Sequence, residues 1–433
     1  MSTYDLGHQP FGVASPAAWL AARGHQVSTI DLAVTELPTE PIAAADAIAF
    51  HLPMHTAARL AAPVAHQVKQ LNPQARLVAY GLYAPLNADF LRQLGIPTTI
   101  GGEFEEALAA AIEGRPASGV FLPRLPLLPP DRSTLPNLGQ YPHFRIGDRA
   151  LRTGYTEASR GCKHLCRHCP VVPVYDGVFR IVPRETVLAD IRNLVAAGAE
   201  HITFGDPDFF NGPTHAVRLV EMLHAEFPAI SYDVTIKVEH LLRHRDLLPF
   251  LQSTGCVLIT TAVESLDDRV LDILAKGHIR ADVFEALRLC REAGIPVSPT
   301  FVPFNPWTTR DAYIDLLRTI ATSGLIEAVA PVQLALRLLL PPGSKLLDTQ
   351  EIRPHLSGFD PSALLHRWSH PDPSMDDLAR AVLRLVWTEQ RRKADRRTIF
   401  SKIWALATTE PLPEDADRLP RTVVPYLEEP WYC

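Results

Sequence analysis

The chain has 433 residues, 47% hydrophobic and 21% charged, with a formal net charge of −6. That length exceeds one ordinary core and implies two or three domains, and the acidic balance excludes a general nucleic-acid binder, which needs surplus Lys and Arg to displace phosphate counterions. No window holds the roughly 18 apolar residues of a membrane span and MSTYDLGHQPFG lacks a secretion signal, so the expected location is cytoplasmic, with no membrane partner.

Over residues 1–115, helix-like and strand-like segments alternate: SPAAWLAARG, HQVSTIDL, ADAIAFHLP, TAARLAAPVAHQVKQLNP, RLVAYG and ADFLRQLG. Apolar strands separated by amphipathic helices predict a parallel sheet covered on both faces, a small doubly wound, Rossmann-like domain. Residues 116–149 are expected as a linker, because FLPRLPLLPPDRSTLP holds five prolines, too many for helix or sheet. The alternation resumes over 150–347, where six strand and helix units run from YTEASRG to APVQLALRLLLPPG. That α/β pattern is two units short of a complete eight-unit barrel and predicts a partial, TIM-like (β/α)6 one. Arg337, inside LALRLLLPPG, is a lone cation in an apolar strand. It either binds a substrate carboxylate at the barrel mouth or pairs with a barrel acid. Residues 348–433 read as a helical C-terminal region ending in VVPYLEEPWYC.

Three of the chain's six cysteines fall in GCKHLCRHCP: Cys162, Cys166 and Cys169. The group follows a strand-like run at the start of the barrel, which puts it on a loop at the C-terminal face where parallel barrels build their sites. In a reducing compartment clustered cysteines are metal ligands or catalytic thiols rather than disulfides. Three thiolates at this spacing suit an iron-sulfur cube with one iron left open. A tetrahedral zinc completed by His164 or His168 is the competing reading. Cys256 and Cys290 read as small core residues.

With this loop placed, the chain resembles the radical S-adenosylmethionine (radical SAM) superfamily, whose signature is C-x3-C-x2-C after the first strand of a six-unit barrel. The resemblance covers about residues 150 to 345. It implies a [4Fe-4S] cluster on Cys162, Cys166 and Cys169, S-adenosylmethionine chelating the fourth iron, and a one-electron donor such as flavodoxin or ferredoxin. TFGDPDFF stands where the family has a Gly-Gly-Glu-like run for the methionine amino group. Here the run is Gly205, Asp206, Pro207, and the resemblance gives that role to Asp206 or Asp208. VESLDDRVLDILAKGH matches the family segment ES-x-DD-x2-L-x4-K-G. This implies that Glu264 and Ser265 approach S-adenosylmethionine and that Lys237 and Glu239 lie near its ribose or carboxylate. Helix capping is the alternative for Glu264, and Lys276 and Gly277 are expected to end that helix.

The N-terminal domain is similar to the cobalamin-binding-like domain of one branch of the superfamily, notably in PFGVASPAAWLAARGHQV, without the Asp-x-His-x-x-Gly motif. His51, His55 and GLYAPLNA lie at expected strand ends where a ligand would sit. Cobalamin is therefore an optional cofactor, not the favoured one. YDLGHQPFGVASPAAWL, FHLPMHTAARLA, AYGLYAPLNA, GGEFEEAL and EEPWYC further resemble radical SAM proteins with a Cys-Cys-Ala-Glu-Pro or Cys-selenocysteine-Ala-Glu-Pro tail, a group that includes the arsinothricin-biosynthesis enzyme. The sequence stops at Cys433, where that tail would continue. This resemblance implies transfer of the 3-amino-3-carboxypropyl group of S-adenosylmethionine to arsenite, with Cys433 as a thiol carrier for arsenic and Arg337 or Lys237 holding the amino acid carboxylate. The alternatives are a cobalamin-dependent radical SAM methyltransferase and a zinc-stabilised binding protein.

Overall fold

The computed structural model describes residues 1–413 and 424–429; Cys433 lies outside them. In the N-terminal unit, β1 (Ala47–His51), β2 (Arg76–Tyr80), β3 (Thr98–Gly102) and β4 (Gly119–Phe121) form a parallel sheet in that order. Ser2 bridges His51 on one side and Asp31 on the other, both parallel, so the order of the strands, not their direction, reverses there as in a doubly wound sheet. HQVSTIDL contributes only the Asp31 bridge rather than a full strand. Strand alternation serves both faces. Ile48, Phe50, Leu77 and Ala79 share a core with Ala58, Ala61, Ala65 and Val68 of helix His55–Leu71, while Val78, Tyr80 and Ile100 pack with Ala107, Leu108 and Ala111 of helix Glu105–Ile112. Strand β4 lies inside the stretch expected as linker, so the sheet continues beyond residue 115. The proline-rich run that follows carries no regular element.

The barrel strands are β5 (Thr153–Thr156), β6 (His201–Phe204), β7 (Ser231–Thr235), β8 (Cys256–Glu264) and β9 (Val297–Phe301), all parallel and in sequence order. They share with helices such as Arg184–Ala196 and Arg310–Thr322 one core that includes Phe204, Tyr232, Ile259, Phe301 and Tyr313. Cys256 and Cys290 are buried in it. The sixth strand is reduced to a single bridge, Phe304 with Arg337. Pro331–Leu334 turns as a 3-10 helix instead, and the side chain of Gln333 accepts the Phe301 N–H at 3.1 Å, standing in for a ladder carbonyl. Pro331, which lacks an N–H, offers no donor to the ladder at that point.

Helices Pro373–Arg391 and Arg396–Ala407 pack on the barrel core. Tyr426–Leu427 pairs antiparallel with Phe144 and Arg145, and Tyr4 Oη donates to Glu429 at 3.0 Å. Among the described residues, no helix is long and apolar enough to cross a membrane.

Candidate functional site

After β5 the chain forms a short antiparallel ribbon, Ser159–Gly161 with Phe179–Ile181, that closes the base of the cysteine loop. Gly161 has φ +72°, and an added Cβ would lie 2.4 Å from Val178 O and from Tyr175 Cδ1, so only glycine serves there. The loop is pinned from three directions. Lys163 N donates to Asn211 Oδ1 (3.1 Å), Arg167 N to Leu274 O (2.9 Å), and Arg167 O accepts Leu346 N (3.1 Å). Cys169 N donates to Cys166 O (3.1 Å), bending the second and third cysteines toward each other.

The three thiols are free. Burial pushes Cys169 up to about 12, and the neighbouring Cys166 and Cys162 push the same way; burial also raises Cys162. Burial opposes ionisation of Cys162 and Cys169, so a cation is needed to hold them as thiolates, and three sulfurs on one loop fit an iron-sulfur cluster.

Opposite the loop, β8 ends in a register shift at Glu264, a non-glycine residue at φ +71°. Backbone strain of this kind collects at functional sites. Burial alone would raise the Glu264 carboxyl, but Lys276 Nζ at 3.4 Å and His168 Nε2 at 3.3 Å hold it at about 2. Glu264 is not the helix cap: Asp267 accepts the Arg269 and Val270 N–H groups of helix Asp268–Ile273, and Ser265 Oγ in turn accepts Asp267 N at 3.0 Å. Lys276 closes that helix through its backbone N–H to Leu271 O (3.0 Å), while its ammonium turns inward to Glu264. The left-handed residue that ends the helix is Ala275, at φ +53°. Gly277 has a different reason to be glycine, since a Cβ there would stand 2.9 Å from Glu239 Oε2 and 3.6 Å from Lys237 Nζ.

The run after β6 divides its labour. Gly205 leaves room for Tyr155, whose Oη would overlap an added Cβ at 1.8 Å. Asp206 is turned beneath the ribbon, accepting Ala158 N (2.9 Å) and Ser159 Oγ (2.5 Å), and burial raises its carboxyl to about 7. Of the two acids given the amino-group role, Asp206 is thus engaged on its own ribbon, where its oxygens hold the base of the cysteine loop. Asp208 uses Oδ1 to accept Phe210 N (3.1 Å) and presents Oδ2 to His240 Nδ1 (2.7 Å) and His164 Nε2 (3.5 Å). Lys237 Nζ lies 3.6 Å from Glu239 Oε2, which is also 3.6 Å from His164 Nδ1.

Arg337 is not the lone cation of an apolar strand. It bonds Asp376 Oδ1 (2.6 Å) and Trp368 O (3.0 Å), and its guanidinium lies over the Trp368 ring. The ion-pair alternative accounts for it, with an acid from the C-terminal helix rather than the barrel. Sequence reasoning missed His240 and His278 at this mouth. His278 has no aligned partner for either ring nitrogen, and burial lowers it to about 4. The signal for both was available: a histidine just beyond a barrel strand or beyond the Lys-Gly pair.

A second crevice lies between the C-terminal ends of β1 to β3 and the ribbon, lined by His51, Gly81, Gly102, Arg160 and Tyr175 among others. Arg160 fills it from the barrel side. Its guanidinium reaches Glu105 (2.7 Å), Glu157 (2.7 Å) and Glu103 (3.5 Å) and lies between the rings of Phe11 and Phe104, and Tyr175 Oη donates to Glu103 (3.1 Å). His51 packs over Gly12, where an added Cβ would lie 2.1 Å from its ring nitrogen; His55 Nε2 is bonded to Ala363 O. The free space is about 180 Å³, below the roughly 300–1,000 Å³ usual for a small-molecule or cofactor pocket. With these side chains in place the crevice is too narrow for a corrinoid.

Residues 156–320 match the Radical SAM superfamily. Among curated proteins, the chain is 24% identical over 206 residues to the ribosomal protein uS12 methylthiotransferase RimO of Parabacteroides distasonis, covering 43% of this chain and 46% of that protein. It is 25% identical over 151 residues to the hopanoid C-3 methylase of Methylococcus capsulatus, covering 35% and 29%. The chain spans less than half the length of these relatives. Among solved structures, the cobalamin-dependent S-adenosylmethionine radical enzyme OxsB with aqua-cobalamin bound gives a TM-score of 0.66 at 14% identity, over 86% of this chain and 64% of that one. The radical S-adenosylmethionine methyltransferase TsrM from Kitasatospora setae, with cobalamin and [4Fe-4S] cluster bound, gives 0.55 at 17%, over 71% and 66%. At such identities the likeness is one of fold.

Proposed function

From a chain that carries a radical SAM domain, which implies a [4Fe-4S] cluster and S-adenosylmethionine, we propose an enzyme that transfers the 3-amino-3-carboxypropyl group of S-adenosylmethionine to trivalent arsenic without using a corrinoid. When bound, cluster and S-adenosylmethionine supply one-electron cleavage of a carbon–sulfur bond. The transfer balances with two electrons and one proton: the sulfonium–γ-carbon bond breaks, a carbon–arsenic bond forms, methylthioadenosine leaves, and one arsenite hydroxyl departs as water. The electrons come from a one-electron donor of the flavodoxin or ferredoxin class.

The residues of the chain have separate tasks in this reading. Cys162, Cys166 and Cys169 hold the cluster. Glu264, kept ionised by Lys276 and His168, accepts hydrogen bonds from the nucleoside side, with Ser265 beside it. Asp208, Lys237 and Glu239 face the amino acid end, and the ribbon and Asp206 keep the cysteine loop in place. Cys433 remains the proposed thiol carrier for arsenic, a soft and thiophilic element.

The observation that carries the choice between radical chemistries is the crevice closed by Arg160 and its three glutamates. The second reading, a cobalamin-dependent methyltransferase, rests on the fold likeness to OxsB and TsrM and requires that crevice to open. Mass spectrometry of the nucleoside product after anaerobic reconstitution, with and without arsenite, tests the proposal. Methylthioadenosine formed with arsenite supports it; 5′-deoxyadenosine instead overturns it, and red corrinoid surviving dialysis would favour the second reading.

A further inference from the structure

Beside the cysteine loop the barrel mouth holds a second set of ligand-type side chains. His164, Asp208 and His240 each bring one donor atom within 4.8 Å of the others. They come from three different elements: the cysteine loop, the turn after β6, and helix Val238–Arg243 after β7. Asp208 and His240 are only 1% and 4% exposed. Asp208 Oδ2 is 2.7 Å from His240 Nδ1 and 3.5 Å from His164 Nε2, and although burial works against it the two imidazoles draw its carboxyl below the usual range, yet none of these three atoms has an aligned hydrogen-bond partner. Buried polar atoms left in that state are uncommon in folded chains. Three of them converging on one point are what a shared ion would satisfy.

The surroundings agree. Asp208 Oδ1 is fixed by the Phe210 N–H, which aims Oδ2 at the imidazoles. Behind His164, Nδ1 faces Glu239 Oε2 at 3.6 Å, the carboxylate-behind-histidine arrangement that orients ligating imidazoles. Two imidazoles and one carboxylate select a divalent first-row transition ion such as Fe²⁺, Co²⁺ or Zn²⁺ over Mg²⁺ or Ca²⁺, and three protein ligands leave a position open. We propose that His164, Asp208 and His240 bind one such ion, separate from the cluster, with its open position available to a water or a substrate oxygen. The site uses none of the three thiols and does not depend on the arsenic acceptor, but it draws on Asp208 and Glu239, which the proposed function places at the amino acid end of S-adenosylmethionine, so it is read in protein free of S-adenosylmethionine.

The test is metal stoichiometry in the reconstituted full-length protein, freed of loosely held iron by a chelator and then given Co²⁺. The expected result is four irons plus one cobalt per chain. Asp208→Asn and His240→Gln should keep the four irons and lose the cobalt, and Glu239→Gln should weaken cobalt binding about tenfold. A Cys162→Ala/Cys166→Ala/Cys169→Ala protein, checked for folding by circular dichroism, should lose the irons and keep one cobalt with visible d–d absorption. Absence of cobalt from the wild type, cobalt bound equally by Asp208→Asn and His240→Gln, or its loss with the thiols would overturn the site.

Discussion

Replacing Arg160 by Met tests whether the interface between the N-terminal sheet and the barrel is built around one buried guanidinium. Arg160 bonds Glu105 through two nitrogens at 3.0 and 2.7 Å and also reaches Glu157 and Glu103. Methionine keeps the stem but leaves three carboxyls facing one another with no counter-charge at that point. Removing one partner of a buried ion cluster costs about 3–5 kcal/mol, which at about 2–4 °C per kcal/mol is a fall in Tm on the order of 10 °C. The loss depends on pH in a stated direction. Burial already holds Glu103 and Glu157 above the usual carboxylate range, and without the guanidinium both rise further. A carboxyl with a higher pKa in the folded chain favours folding fully below its unfolded value of about 4.3, and loses that advantage as pH rises through its folded value. The deficit of Arg160→Met should therefore be small near about pH 5 and largest near about pH 8, read by thermal unfolding at both. A Tm within about 2 °C of wild type at about pH 8, or a deficit that does not change with pH, would refute the reasoning and reopen the crevice to a cofactor.

Glu264→Gln removes the anion opposite Lys276 and His168; with the native carboxyl at about 2, its stabilisation is complete above about pH 4.3, fades as pH falls through about 2, and amounts to about 3 kcal/mol. The variant should lose that stability at neutral pH in denaturant titrations, along with most S-adenosylmethionine binding by calorimetry. Gly161→Ala places a methyl 2.4 Å from Val178 O and should prevent cluster assembly, read as loss of the iron-sulfur absorbance. Any one of Cys162, Cys166 or Cys169 changed to Ala should abolish both that absorbance and S-adenosylmethionine cleavage. Arg337→Met, by contrast, should cost about 1.5–3 kcal/mol from its charge-assisted bond and leave the KM for S-adenosylmethionine unchanged, because Arg337 is engaged by Asp376 and Trp368.

Sequence alone was enough for the features encoded locally. The spacing of Cys162, Cys166 and Cys169 gathered three thiols on one loop, and the alternation of apolar strands and helices specified parallel sheets in both halves. The run from Glu264 to Gly277 could be aligned because its residues share one strand end and one short helix. Local pattern could not show which charge each polar side chain meets. Asp206 and Asp208 are two residues apart, yet one serves the Ser159 ribbon and the other faces His164 and His240. Arg337 is claimed by an acid on a later helix, and the sixth strand gave way to the Gln333 side chain. The closed crevice depends on Arg160 meeting Glu103 and Glu105, which lie 57 and 55 positions earlier. Hydrophobic period is a property of neighbours along the chain. The pairing of buried charges is a property of neighbours in space, and for this protein that pairing separates a site able to hold a cofactor from one already filled.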